Sequence, residues 1–460
     1  MLSLARNFRK ILQSGQFFAP ALQLLHTGIV LTGTKLFANR NLAEQGFPAD
    51  RYDDILSILQ TESLQQLSAV AKQLDGFEIA QAQAILARIA DIQHQSDPKS
   101  HDVNQIAAVQ NVLQPLAFGV AESLGRPHPP TAQLAELDRL GKGWLYDYHT
   151  IISQDAYLRL NSKPQVFRPG VGHTNTTTRG AHTQDVAAAA MQMARQLGLN
   201  KELCGAIAVL HDIGHPAGGH VGEQILTELS GRKFKHHIFS LSLADLFDFN
   251  LLREVQIGAF YHKSGGKKLQ TPTGRPQEYG IVRIADKICY APWDLFDAIT
   301  NGYLAREQVP EWLFDTLGTE PLAWIRTMIQ AMVRESAEAH AVQFTEASGK
   351  VYEAYQTARQ IVFKQVHNRI HWALLEADIR LCYACIATSF PKLDPVPIVA
   401  YMTDSEVTRI ARMVERQFKG KAISSSEFES EGMGFMAIVE RLQAPGSADK
   451  LYYTSAKGNL

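Results

Sequence analysis

The sequence predicts an all-α fold, a helical core with further helical regions on its N-terminal and C-terminal sides. Three observations lead there. Apolar residues recur at three- and four-residue steps over long stretches. Few segments alternate with a period of two. The breaks between periodic stretches are rich in Gly, Pro and Thr, residues of turns and helix ends. An apolar content of 45% and a charged content of 20% exclude disordered and collagen-like chains.

The first apolar stretch runs from 17 to 37. It has the length of a membrane span, but Pro20, Gln23, His26, Gly28, Thr32, Gly33 and Thr34 make it too polar for one. Its apolar run starts late and no small-x-small cleavage site follows, so it is a poor signal peptide. A buried or partner-facing helix is expected, and no membrane contact. Between 51 and 124 the pattern is helical. Ile55, Leu56, Ile58, Leu59, Leu64, Leu67 and Val70 recur along one face. Residues 1–125 read as a helical N-terminal region of unknown role. The densest Pro cluster follows at Arg126-Pro127-His128-Pro129-Pro130. It cannot be helical, so 126–131 read as a stiff linker.

From 132 to 305, helical segments alternate with Gly/Pro/Thr loops. From 306 to 390, long helices return, as in PLAWIRTMIQAMVRESAEAHAV. Phe390 to Pro397 holds three prolines and opens a C-terminal region, 391–460. Thr403-x-x-Glu406 is a capping box and predicts a helix start.

Four Cys in 460 residues cannot form a disulfide framework. A reducing, cytoplasmic location is expected. Cys382-x-x-Cys385 lacks a second pair for zinc and reads as packed helix thiols. The net charge of −1 gives no support for nucleic-acid binding, though it leaves room for a local basic site. Ser264-Gly265-Gly266-Lys267-Lys268 reads as a solvated basic loop. It lacks the spacing of a phosphate-binding Walker loop.

Histidine is unevenly spread. Eight of 16 lie between His173 and His262, where an even spread would put roughly three. At the centre of this window stand His211-Asp212-Ile213-Gly214-His215-Pro216 and Gly219-His220-Val221-Gly222-Glu223. The adjacent imidazole and carboxylate offer mixed N/O ligands to one cation, and the apolar run LCGAIAVL before them delivers them to the interior. Two ligands hold a metal weakly, so more are needed. His182 lies in the first turn of the helix that continues AAAAMQMARQLGL, with Arg179 three residues earlier. Asp286, Tyr290 and Asp294 fall at four-residue steps on one helix face, and Asp286 follows the apolar GIVRIA. A buried carboxylate needs a partner. Pro292 should kink this helix.

Together these residues resemble the HD-domain metal phosphohydrolases. The closest likeness is to the deoxyguanosine-triphosphatase-like triphosphohydrolases, which include the SAM-domain-linked dNTP hydrolases. Ile151-Ile152-Ser153 with Tyr157-x-Arg159-Leu160 and Lys163-x-Gln165-Val166-Phe167 is similar to the opening segment of that family. Thr178-Arg179-x-x-His182-Thr183 resembles its R-x-x-H element. Phe234-Lys235-His236 and Ala285-Asp286-x-Ile288-x-Tyr290 resemble its later elements. The likeness spans 142–300, so 132–305 is expected to be the HD domain and 306–390 a helical extension packed on it. His237 stands where the family has Asn, and Lys235 where it has an acidic residue.

The resemblance implies roles. His182, His211, Asp212 and Asp286 hold one divalent ion, whether Mn, Mg, Fe, Ni, Co or Zn. His215, Glu223 and His236 form the acid/base group. Arg179 and Lys287 grip phosphates, His220 contacts the nucleotide near its α-phosphate, and Tyr290 and Asp294 hold the deoxyribose. The implied reaction turns a dGTP-like deoxynucleoside triphosphate into deoxynucleoside and tripolyphosphate, in a homo-oligomer. Two alternatives stay open. One is an HD phosphohydrolase for a nucleoside monophosphate or signalling nucleotide. The other is a nucleotide-sensing regulator without turnover.

Overall fold

The computed structural model describes residues 111–167, 176–263, 269–271, 274–367, 373–418 and 422–452. These all belong to the compact unit Ile106–Leu460, which is separate from the unit Met1–Gln105. The stretch at 17–37, the helical pattern at 51–110, His173 and the loop at 264–268 lie outside the described residues.

The fold is all-α, as the periodicity predicts. The principal helices are α1 (Ala132–Arg139), α2 (Gly143–Ile152), α3 (Arg179–Leu197), α4 (Lys201–Leu210), α5 (Gly219–Ser230), α6 (His236–Leu246), α7 (Arg253–Tyr261) and α8 (Gln277–Thr300). They continue with α9 (Pro321–Ala339), α10 (Lys350–Ile361), α11 (Ala373–Ser389), α12 (Pro395–Tyr401) and α13 (Asp404–Met413). Among the described residues the only sheet pairs β1 (Leu269–Gln270) antiparallel with β2 (Gln343–Phe344).

α4 is the spine. Asn200 caps it by accepting from Leu203 N, and every residue from Leu203 to Leu210 is buried. A helix apolar on all sides belongs at the centre of a bundle, and α4 packs against α2, α3, α7 and α8. Thr178 caps α3 by accepting from Ala181 N. The small side chains Ala187, Ala189 and Ala190 are buried on α3 and let its neighbours approach. Gly198 ends it at φ +80°, where a side chain would be strained.

α8 runs unbroken through Pro292 to Thr300. The proline removes one hydrogen bond without ending the helix, because residues on both sides of it are buried against α3, α4 and α9. α9 and α10 pack on α8. α11 packs against α5, α12 and α13, which brings the C-terminal helices to the central signature. The capping box forms: Thr403 Oγ1 accepts from Glu406 N, and Glu406 Oε2 accepts from Thr403 N.

The segment at 126–131 is fixed to this body. The Arg126 guanidinium pairs with Asp138 at 2.7 Å and Asp147 at 2.6 Å, and donates to the Asn250 carbonyl. Among the described residues no helix is long and apolar enough to cross a membrane. All four cysteines are buried and free.

Candidate metal and phosphohydrolase site

The site is built where α4 ends. His211 follows Leu210 directly, so a helix buried at every residue from Leu203 on places His211 and Asp212 in the interior. The turn after them must press against α6. A Cβ on Gly214 would lie 2.4 Å from the His236 carbonyl oxygen and 2.4 Å from Ser240 N, so only glycine allows that approach. Gly214 N donates to Ser240 Oγ, whose hydroxyl donates to the His211 carbonyl. Gly219, at φ +57°, opens α5 and lets Arg179 lie against bare backbone: a Cβ there would meet its guanidinium at 2.1 Å.

Asp212 is the hub. Its Oδ1 lies 3.4 Å from His211 Nε2, 3.6 Å from His215 Nε2, 3.5 Å from His236 Nε2 and 4.0 Å from His262 Nε2. Its Oδ2 lies 3.6 Å from Arg179 Nη1. All six residues are buried. His182, His211 and Asp212 each offer a ligand atom within 4.8 Å of the others. Asp286 Oδ1, from α8, lies 3.3 Å from His182 Nε2. Three separate sequence elements, α3, the end of α4 and α8, therefore deliver His182, His211, Asp212 and Asp286 to one place.

The donor set fits a divalent ion. His211 Nδ1 donates to the Ala208 carbonyl at 2.5 Å, which leaves Nε2 as the lone-pair nitrogen. That nitrogen is buried without a hydrogen-bond partner. Such an orphan costs about 1–3 kcal/mol unless something else satisfies it. Two imidazoles and two carboxylates are ordinary ligands of Mn, Fe, Co, Ni or Zn.

Electrostatics favour ionised carboxylates and neutral rings. Burial alone would raise the Asp212 carboxyl, but His211, His236 and Arg179 outweigh it and hold it below the usual carboxylate range. Burial opposes Asp286 in the same way, and Lys287 and His182 hold it well below that range. Burial pushes His215, His236 and His262 well below the ordinary imidazole value. Neutral imidazoles are the form that ligates a metal or accepts a proton.

The expected acid/base residues stand together. His236 Nδ1 donates to Glu223 Oε1 at 2.6 Å, and His236 N donates to the same oxygen at 2.7 Å. The His215 and His236 rings stack with centroids 3.7 Å apart. The expected substrate contacts are placed as follows. Arg179 lies beside Asp212. Lys287 Nζ is bound to Asp286 Oδ2 at 2.7 Å and lies 5.8 Å from the Tyr290 ring centre. His220 Nε2 meets Lys263 Nζ at 3.2 Å. Asp294 Oδ2 pairs with His367 Nε2 at 2.8 Å. Tyr290 is hydrogen-bonded to Arg359, and burial pushes its hydroxyl up to about 12.

Five of these neighbours were not assigned from sequence. His262 belongs to the histidine-rich window, and only its partners reveal its role. Lys163 is buried, its ammonium donating to the His215 carbonyl at 2.6 Å and the Ala400 carbonyl at 3.2 Å. Lys263, Arg359 and His367 are single polar residues whose surroundings come from distant helices, and no local pattern marks them.

Comparison with known proteins places the chain in a family. A family model described as HD domain matches residues 179–291. A deoxyguanosinetriphosphate triphosphohydrolase-like protein of Desulfatibacillum aliphaticivorans is 32% identical over 274 residues, covering 56% of this chain and 74% of that protein. A protein of the same description from Caldanaerobacter subterraneus subsp. tengcongensis is 33% identical over 261 residues, covering 56% and 73%. One from Clostridium tetani is 31% identical over 232 residues, covering 49% and 66%. With the buried His and Asp residues in place on a helical body, the chain belongs to the deoxyguanosinetriphosphate triphosphohydrolase-like family of HD-domain, metal-dependent phosphohydrolases.

Proposed function

We propose that the protein hydrolyses deoxynucleoside triphosphates, dGTP among them, to deoxynucleoside and tripolyphosphate. One divalent ion is held by His182, His211, Asp212 and Asp286. The observation that carries this reading is the convergence of those four buried side chains beside the His236–Glu223 pair. When bound, the ion polarises a phosphoryl oxygen and lowers the pKa of water.

The chain's own residues do the rest. Water attacks the α-phosphorus, the bond from phosphorus to the 5′-oxygen breaks, and the 5′-oxygen takes a proton. His215 and His236 accept and return protons at Nε2, since both rings carry little charge of their own. Glu223 fixes the tautomer of His236 through Nδ1 and stabilises its cationic form. Arg179 suits two-point phosphate contact, and Lys287 supplies a point charge at the same edge. His220 contacts the nucleotide near the α-phosphate. Tyr290 and Asp294, on one face of α8, are the deoxyribose contacts. Catalysis in a cytoplasmic homo-oligomer completes the proposal; the four free thiols are consistent with that location.

The test is a panel of dNTPs, NTPs, nucleoside monophosphates and (p)ppGpp with Mn²⁺ and with Mg²⁺, products resolved. Tripolyphosphate from dNTPs supports the reading. Turnover of monophosphates or (p)ppGpp alone assigns another HD phosphohydrolase. Binding without turnover of any of them assigns a nucleotide-sensing regulator.

A further inference from the structure

The C-terminal region has no task in the scheme above, and neither has Lys163, a buried cation. Both meet at the turn that carries His215. Pro216 brings no N–H to that turn, and Gly218 sits at φ +71°. The turn's own hydrogen bonds run from His215 N to the Asp212 carbonyl at 3.0 Å and from Gly219 N to the Pro216 carbonyl at 3.1 Å. Two of its backbone groups are left over, the His215 carbonyl and the Gly218 N–H, and each needs a partner. Both partners come from outside the turn. Lys163 Nζ donates to the His215 carbonyl at 2.6 Å and to the Ala400 carbonyl of α12 at 3.2 Å. Asp404 Oδ1, at the start of α13, accepts from Gly218 N at 3.1 Å. One ammonium therefore ties the turn to α12, and one carboxylate ties it to α13. Leu375 of α11 closes a further side, since a Cβ on Gly218 would lie 2.7 Å from its Cδ2. The ties are themselves fixed. Arg159 donates from Nε to the Tyr401 carbonyl at 3.0 Å, lies over the Tyr401 ring and pairs with Glu406. Glu406 also accepts from Thr403 N at 2.9 Å and from Phe435 N at 3.1 Å. A shift of the turn breaks these bonds, and the His215 ring leaves from it to stack on His236 with centroids 3.7 Å apart.

We propose that Lys163 and Asp404 are positioning residues for His215, which makes the C-terminal helices α12 and α13 a working part of the catalytic site. The proposal rests on the reading of His215 as an acid/base residue. Lys163 and Asp404 act through His215 and not on substrate. Lys163 holds the carbonyl of His215 itself, and Asp404 holds the turn three residues further on. Displacing a reacting group by about 1 Å costs about 100-fold in rate, so loss of either tie falls on turnover and not on affinity.

The test compares the full chain with Lys163→Met, Asp404→Ala and Asp404→Asn. Asn keeps an oxygen for Gly218 N and lacks the charge. Two quantities are read: hydrogen exchange over 213–222, which needs no substrate, and kcat and KM for dGTP with Mn²⁺. Lys163→Met and Asp404→Ala are expected to exchange faster over 213–222 while α4 keeps its protection. Their kcat is expected to fall about 10- to 100-fold with KM within about twofold. Asp404→Asn is expected to restore most of the kcat and the protection that Asp404→Ala loses. Faster exchange throughout the helical body overturns the proposal, because it marks a general loss of stability. Exchange over 213–222 equal to wild type overturns it, as does an unchanged kcat in a variant whose turn has loosened. Should Lys163→Met fail to fold, the Asp404 pair decides: equal losses of kcat in Asp404→Ala and Asp404→Asn overturn the proposal. A wild type that turns over none of the nucleotides refutes the hydrolase reading, and the exchange result still decides whether Lys163 and Asp404 hold the turn.

Discussion

Replacement of Glu223 by Gln isolates the orienting carboxylate from everything else in the pocket. Glu223 Oε1 accepts two hydrogen bonds, from His236 Nδ1 at 2.6 Å and from His236 N at 2.7 Å, and the side chain is buried. Gln keeps an oxygen that can accept both, so His236 stays in place. What is lost is the negative charge beside a ring that must pass through its cationic form. Removing an orienter of this kind costs about 10- to 100-fold, or about 1.4–2.7 kcal/mol of transition-state stabilisation. Glu223→Ala is a poorer probe, because it also leaves His236 N and Nδ1 buried without acceptors, at about 1–3 kcal/mol of stability each. The assay is steady-state hydrolysis of dGTP with Mn²⁺, read as kcat and KM separately. A fall in kcat with KM within about twofold is expected. An unchanged kcat with a folded protein would refute the orienting role.

Three further outcomes follow from the same geometry. Asp286→Ala removes a ligand next to His182 and is expected to abolish bound metal and turnover together; retained activity would sink its place in the ligand set. Arg126→Met leaves the fully buried Asp147 carboxylate without its guanidinium, at about 3–5 kcal/mol measured by urea unfolding, and a loss below about 1 kcal/mol contradicts the anchoring role of that segment. Burial lowers the Lys163 ammonium from its ordinary value to about 7. The unfolded chain then binds more protons than the folded one between about 7 and the ordinary lysine value, so this group makes stability rise with pH across that window, by up to about 1.4 kcal/mol per unit, and contributes no slope below it. Lys163→Met should flatten that rise in urea unfolding; an identical slope in wild type and variant would contradict the shift.

The parts of the site that sequence reveals share a physical cause. His211 and Asp212 stand out because eight buried residues of α4 precede them, and a polar pair at the end of such a run has no solvent to explain it. Asp286 stands out for the same reason on α8. The helical class is legible because burial of one helix face imposes its period on the sequence. Lys163 and Arg359 are not legible. Their partners are the carbonyls of His215 and Ala400 and the hydroxyl of Tyr290, all set by tertiary packing. Pro292 is a helix breaker by local rules, yet burial on both sides of it outweighs one missing hydrogen bond and the helix continues to Thr300. The partners of Arg126 lie in α1, in α2 and at Asn250, so its proline-rich segment reads locally as a spacer although it is tied to three elements.

The central claim is attack at the α-phosphorus with release of the whole triphosphate. It is tested most directly by hydrolysing dGTP in ¹⁸O-labelled water with Mn²⁺ and resolving the products. Deoxyguanosine and tripolyphosphate, with the label in the tripolyphosphate, are predicted. Label-bearing dGMP with pyrophosphate, or dGDP with phosphate, would contradict it.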